Sequence, residues 1–442
     1  MSETHQFVEH LFAQARKVEG GGVISGSELA NTLKELAALE VEEGGPYAHD
    51  GTPDLATNLA IACFLAVHNV RLPKLDAFIE NAGSAETPLE ESMLEHLMRY
   101  RAQTESQETD LALSEGEGRV LENIRAAATK RFLSLSDELR DNAVEVIERT
   151  IAGNHDTQMS LMAYHVRQAL GTKGEQFDDA LVAELGLANI CFWTAFIVYD
   201  DFWDEDEAAE PRLLPTANLF ARHYTDFFTH LLPEETGFRT FFQDVMDALD
   251  AANTWEMHFC RMKREGTEVF LPEQLPLYGE DFDIKFYPAA GHVFGPVAMF
   301  LMCGQNMGSP DVKNLIAYFK HYLIAMQLND DAHDWKEDLE RGHISTAVAL
   351  LLHRWRDMHP ERNVINLESD MPELEQLFWF HALGPICESV LSHTRRSRDA
   401  LSSLSLVEDP TPLDRFIVSN ERIAWQALKE QATSEEFLRA FS

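Results

Sequence analysis

Two clusters of aspartates, each closing an apolar run of helical length, constrain this chain more than any other feature. The first is Asp200-Asp201-Phe202-Trp203-Asp204-Glu205-Asp206, after the apolar stretch Phe192 to Tyr199. The second is Asp330-Asp331-Ala332-His333-Asp334, after Tyr322 to Leu328. On a helix, residues i and i+4 share a face, so Asp200 with Asp204, and Asp330 with Asp334, each project two carboxylates the same way. Adjacent carboxylates repel, and a helix gains nothing by carrying several at the end of an apolar run. Ligation of a hard cation gives them a use: Mg²⁺ takes one or two carboxylates and completes its shell with water and substrate phosphates. One acidic cluster alone is more often a helix cap or a solvated face. The pair, on two helices, suits several metal ions around one diphosphate.

The rest of the chain supplies the helices. Long periodic stretches, modest Gly and Pro content and the lack of alternating Val/Ile/Thr runs predict an all-α protein. At 442 residues and 45% hydrophobic, it has material for a substantial core. Lys and Arg number 36 against 74 Asp and Glu, a net charge of −38, which disfavours nucleic acid and anionic membranes as partners. An anionic substrate must then be drawn in by local cations, so the aspartates need their metals first.

The five cysteines (Cys63, Cys191, Cys260, Cys303, Cys387) are scattered and lack metal or redox spacing, as expected of reduced core residues. Met1 to Arg16 has no apolar core like that of a signal peptide, and no run of 18 apolar residues stands out. A cytoplasmic protein with no membrane span is the expectation.

Three regions follow from the breaks. Residues 1–100 form an N-terminal helical region of unassigned role, 101–118 an acidic linker with little periodicity, and 119–442 a bundle of helices with short interruptions. Within the first region, Glu43-Gly44-Gly45-Pro46-Tyr47 before the apolar helix pattern Asp54 to Val70 resembles a fragment of the helical-toroid repeats of cyclases and protein prenyltransferases. One repeat cannot close a barrel, and a helical cap or packing surface is the expected role.

The second cluster in its context, Met326-Gln327-Leu328-Asn329-Asp330-Asp331-Ala332-His333-Asp334 with Asp338 and Gly342, resembles the second aspartate-rich motif of trans-prenyl diphosphate synthases. The first resembles that family's first motif, with Asp204 and Asp206 fitting its short and long spacings. Both motifs, in this order and 130 residues apart, place the chain near the class I isoprenoid synthase superfamily, over roughly residues 150–350. There are departures: His343 stands near a family lysine, and Pro211 to Thr216 keeps only Arg212 where the family carries paired arginines.

The resemblance implies an all-α class I isoprenoid synthase bundle in which Asp200, Asp201, Asp204, Asp330, Asp331 and Asp334 act in catalysis. It implies that these and Asp206 hold Mg²⁺, about three ions with Mn²⁺ as the alternative. The substrate implied is an allylic prenyl diphosphate, and the assembly a homodimer. Lys285, 45 positions before Asp330, matches the spacing of a diphosphate-contacting cation. Arg212, Gln327 and Arg167 complete the expected diphosphate-binding set. Aromatic residues beside the motifs, among them Trp193, Phe196, Tyr199 and Phe286, are core by default, and in such a site would also line the pocket and face a carbocation. Phe196, one turn before Asp200, stands where a bulky residue limits chain length in prenyl synthases.

What is missing bears on the reaction. Chain-elongating synthases carry a Gly-Gly-Lys-Arg-like segment for isopentenyl diphosphate, whereas Ser160 to Leu170 offers only His165 and Arg167. A terpene synthase, ionising one allylic diphosphate and cyclising or quenching the cation, is therefore the first expectation. A trans-prenyltransferase is the alternative, and a non-catalytic partner subunit the third.

Overall fold

A computed structural model describes residues 3–19, 32, 34–36, 38–41, 45–49, 51–66, 72–82, 87–109, 113–153, 158–203, 209–279 and 281–441. The chain divides into two compact units, one of residues 1–112 with 429–442, the other of residues 113–428.

The first unit contains α1 (Glu3–Glu19), α2 (Leu55–Ala66), α3 (Pro73–Asn81) and α4 (Pro88–Thr109). Val8, Leu11, Leu59, Phe64, Leu75 and Met93 make its core. Apolar on all sides, α2 is the inner helix, as a short helix without an amphipathic face must be. Asn58 on α2 is fully buried; it accepts from the Tyr47 amide at 2.9 Å and donates to the Tyr47 carbonyl at 2.9 Å. That bracket seats the turn at Gly45, whose φ of +94° suits glycine; Glu43 and Gly44 lie outside the described residues.

The expected linker 101–118 is helical at both ends. Residues 101–109 continue α4, and α5 (Glu115–Phe132) starts at Ser114. The reason is local: Ser114 and Glu117 form a reciprocal capping box, so a polar stretch that looks aperiodic carries a helix start.

In the second unit, α5 is followed by α6 (Asp137–Gly153), α7 (Gln158–Ala169), α8 (Asp179–Trp203), α9 (Leu214–His230), α10 (Phe238–Phe259) and α11 (Phe294–Met302). Then come α12 (Pro310–Arg341), α13 (Thr346–Met358), α14 (Met371–Leu377), α15 (Leu383–Ser402) and α16 (Thr411–Phe441), which belongs to this unit as far as Leu428 and to the first from Lys429. A small antiparallel sheet of β1 (Lys263–Glu265), β2 (Glu268–Phe270) and β3 (Val364–Asn366) was not expected. Three-residue strands are too short to show a period of two in the sequence.

Helix α8 carries the first aspartates and runs through the core, packing against α5, α6, α7 and α9. It is the one helix among the described residues with the length and hydropathy to cross a membrane, and 72% of its apolar window is buried inside the structure. Its acidic residues Asp179 and Glu184 interrupt the run, so the sequence shows no unbroken apolar stretch of that length here. Phe192 anchors an aromatic cluster, with ring centroids 4.8 Å from Phe196 and 5.1 Å from Tyr224; Phe242 and Phe294 extend it at 4.7 Å from each other. Gly291 makes room for it: a Cβ there would meet Phe192 Cε1 at 2.1 Å.

Helix α12 carries the second aspartates. Ser309 caps its start, accepting from the Val312 amide at 3.3 Å, with Pro310 in the first turn. Gly342, at φ +77°, ends it. It packs along α15 and against α13 and α11, and the short turn at Ala290–Val293 touches both α8 and α12.

Candidate active site around the second aspartate motif

At the end of α8, Asp200 is exposed and Asp201 half-buried, each engaged in further interactions. The helix is described to Trp203; Asp204, Glu205, Asp206 and Glu207 lie outside the described residues. Tyr199 donates to Asn218 Oδ1 on α9 at 2.8 Å. Beside Trp203 opens a groove of about 490 Å³, lined on the α10 side by Asp250, Asn253, Thr254, Met257 and His258. Burial, with Asp247 nearby, raises the Asp250 carboxyl above the usual range.

The three aspartates of the second motif have different surroundings. Asp331 points into the protein, where Lys285 Nζ lies 3.0 Å from both of its oxygens. Its Oδ2 also accepts from the Thr346 amide, at the start of α13, at 2.9 Å. Both side chains are nearly closed to solvent, at 8% for Lys285 and 9% for Asp331. Burial works against the charge on Lys285, but Asp331 and Glu256 outweigh it and raise its pKa. Its ammonium also lies 4.9 Å from the centre of the Tyr278 ring, and the Tyr278 hydroxyl donates to the Ile344 carbonyl.

Asp330 and Asp334, one turn apart, face outward. Asp330 is exposed at the helix surface, with much of the protein packed around it. Loss of water there, then the carboxylates of Asp334, Asp331 and Asp338, push it up to about 6. Asp334 is raised in the same direction, by burial first.

Next to these lies a second charged group that sequence reasoning saw only in part. His343 Nε2 is 3.2 Å from Glu256 Oε1 and its Nδ1 is 3.3 Å from Asp338 Oδ1. Burial alone would lower the imidazole, but those two carboxylates raise it to about 9, so it carries a proton at neutral pH. Burial opposes the charge on Glu256 as well; His343, then Lys285 and Arg261, outweigh it and hold the carboxyl down at about 2. Arg261 pairs with Glu256 at 3.3 Å, and Lys263 with Glu265, so these two cations balance neighbouring acids. The substitution of His343 near a family lysine was the available signal. Glu256 and Tyr278 gave none, because neither belongs to a motif.

The other expected residues are spread. Arg212 pairs with Glu210 at 2.6 Å and is half-exposed. Arg167 pairs with Asp179 at 2.6 Å and lies over the Tyr164 ring. His165, the other cation candidate of that segment, is buried, with burial and then Arg415 pushing it down to about 3, so its ring is neutral. Gln327 is half-buried on α12, next to Met326, whose sulfur accepts from Gln158 at 3.0 Å. Phe286 is buried against Tyr287, and Phe196 lies within the aromatic cluster around Phe192. Trp193 packs on His292, centroids 4.7 Å apart, beside a cavity of only about 10 Å³ between α7, α8 and α11.

Among the described residues no three His, Cys, Asp or Glu side chains converge as a ready metal centre. Asp330 and Asp334 nevertheless suit a hard divalent cation. Their donors are oxygens, they share a helix face, and the carboxylates of Asp331, Asp334 and Asp338 add to the burial that raises Asp330, a crowding that an ion would relieve.

No protein-family model matches this chain, and no curated protein does. Solved structures do. A geranylgeranyl pyrophosphate synthase from Lactobacillus brevis ATCC 367 aligns at 14% identity and a TM-score of 0.54, over 69% of this chain and 96% of its own. A geranylgeranyl pyrophosphate synthetase from the archaeon Geoglobus acetivorans aligns at 14% identity and a TM-score of 0.49, over 69% and 98%. Over the aligned 69%, this chain thus shares the all-α fold of the Lactobacillus brevis synthase.

Proposed function

We propose that this chain is a metal-dependent class I isoprenoid synthase that ionises an allylic prenyl diphosphate, and that it acts as a terpene synthase. The observation that carries this is the second aspartate motif: Asp330 and Asp334 together at the surface of a helix in the prenyl synthase fold, beside buried, paired cations.

In this proposal Asp330 and Asp334 hold Mg²⁺ on the α12 side, and Asp200 and Asp201, with Asp204, on the α8 side. Bound Mg²⁺ would neutralise the diphosphate as it leaves and so favour breaking the allylic C–O bond. Lys285 balances Asp331, and His343 sits between Glu256 and Asp338, so the surface an incoming dianion meets carries less net negative charge than its carboxylates alone would give. The aromatic side chains of α8 keep water from the cation, and their faces stabilise it.

Cyclisation is preferred to elongation because the second diphosphate lacks a cationic seat where the synthases have theirs. Arg167 is committed to Asp179 and His165 is neutral. Burying an unneutralised dianion there is very costly. The likeness to geranylgeranyl pyrophosphate synthases favours the second reading, a trans-prenyltransferase that condenses the allylic diphosphate with isopentenyl diphosphate.

Purified protein incubated with Mg²⁺ and geranyl, farnesyl or geranylgeranyl diphosphate, with and without isopentenyl diphosphate, separates the two. A hydrocarbon or terpene alcohol without isopentenyl diphosphate supports the first. Longer diphosphates formed only with it support the second. No turnover of any substrate would leave a non-catalytic subunit.

A further inference from the structure

We propose that Asp331 is a positioning residue and not a metal ligand: with the Thr346 amide it pins Lys285, leaving Asp330 and Asp334 as the carboxylates of this motif that meet a divalent cation. The metal half of this inference rests on the function proposed above; the pinning half rests on geometry alone.

A carboxylate offers about four lone-pair directions. Three of those on Asp331 are taken: Oδ1 by Lys285 Nζ, and Oδ2 by the same Nζ and by the Thr346 amide. The Thr346 amide is a first-turn donor of α13 with no partner inside its own helix. The positive end of that helix also favours an anion there. If Asp331 swung out to bind an ion, it would strand a buried ammonium and a buried amide together, the costliest way to break such a pair. Asp330 carries no such commitment to Lys285 or α13. It is one residue earlier on the helix, about 100° around the axis, and faces solvent.

The pair ties three elements at one point: the turn Asp283–Phe286 that bears Lys285, α12 and the start of α13. The turn enters through Phe282 at φ 50°, a conformation L-residues rarely adopt, so contacts further along must hold it. Lys285 anchors it to α12 from the buried side, and Asp283 does so at the surface, paired with Lys320 of α12 at 2.8 Å. The charge of Lys285 therefore acts from within the wall of the site, already balanced by Asp331.

The test compares wild type with Asp331→Asn, Lys285→Met, the double variant and Asp330→Asn. Melting temperature is measured in EDTA, and Mn²⁺ binding is measured by loss of the free-ion EPR signal. Asp331→Asn and Lys285→Met should each lower Tm by roughly 5–10 °C, and the double variant by clearly less than their sum. Mn²⁺ binding should survive in the double variant within about twofold and weaken roughly tenfold or more in Asp330→Asn, which keeps or raises its Tm. If Asp331→Asn kept its Tm and lost Mn²⁺ as Asp330→Asn does, the proposal would be overturned. Where Asp331→Asn does not fold, the double variant still reports Mn²⁺ binding without the carboxylate. If wild type bound no Mn²⁺, the proposed function would fail. The coupling in Tm would then still decide the pinning, and additive losses would overturn it.

Discussion

His343 and Glu256 face each other at 3.2 Å across the junction where α10 ends and α12 ends, with Asp338 on the other side of the imidazole at 3.3 Å. Backbone bonds close the same junction: Met262 donates to the Gly342 carbonyl at 2.7 Å, and Ile344 to the Cys260 carbonyl at 2.8 Å. The two charged helix ends that border the second aspartate motif are thus joined by a proton.

Stability should follow that proton. The folded value for His343, about 9, lies above its unfolded 6.5. Its contribution is therefore complete below pH 6.5 and lost as pH rises through 9. Glu256, held at about 2 against 4.5 unfolded, sees the same ion pair from the other end, so the two are not added. That side is complete above pH 4.5 and lost as pH falls towards 2. Urea unfolding should therefore find maximal support from this junction between pH 4.5 and 6.5. On the order of 2–3 kcal/mol should be gone by pH 9.5. His343→Gln should flatten the alkaline limb relative to wild type; an unchanged limb would assign the loss elsewhere.

Gly342→Ala tests the backbone of the same junction. The left-handed conformation costs an L-residue about 1–2 kcal/mol. The new Cβ would also stand 2.7 Å from the Met262 carbonyl oxygen, a backbone atom that cannot yield easily. A Tm loss larger than that of an alanine placed at an exposed, ordinary helix position is expected, together with weaker Mg²⁺-dependent turnover.

Asp330→Asn should separate stability from activity. Removing one of several crowded carboxylates relieves repulsion with Asp334, Asp331 and Asp338, so metal-free protein should melt no lower than wild type. Diphosphate release from an allylic substrate should fall to background. Retained turnover in a folded variant would remove Asp330 from the metal site.

In the N-terminal unit, Asn58→Ala strips the partners from both the amide and the carbonyl of Tyr47. Leaving these buried groups unsatisfied should cost about 2–3 kcal/mol. Limited proteolysis should then cut near residues 45–54 faster than in wild type, with residues 113–428 protected as before. Equal cutting rates would mean the turn is held by something other than Asn58.

Much of this was legible from local pattern. The helical period, the Ser309-Pro310 start and the Gly342 stop bracket α12 in the sequence, because caps and terminators act over a few residues. The Ser114 capping box was equally local, but a polar helix start resembles a linker when only periodicity is consulted. The sheet of β1, β2 and β3 was beyond reach, since β2 pairs with a strand about a hundred positions away and each strand is only three residues long.

The sequence by itself determined that this chain would be helical and that its aspartates would lie on helices, each cluster closing an apolar run, because periodicity and composition are written in neighbouring residues. Only the tertiary structure decided what each aspartate does. Asp330 and Asp331 are adjacent and chemically identical, yet one faces water and the other is closed around Lys285 and Thr346, 46 and 15 positions away. The difference arises from which side of α12 meets the rest of the fold, a matter of packing between distant segments that no local pattern encodes.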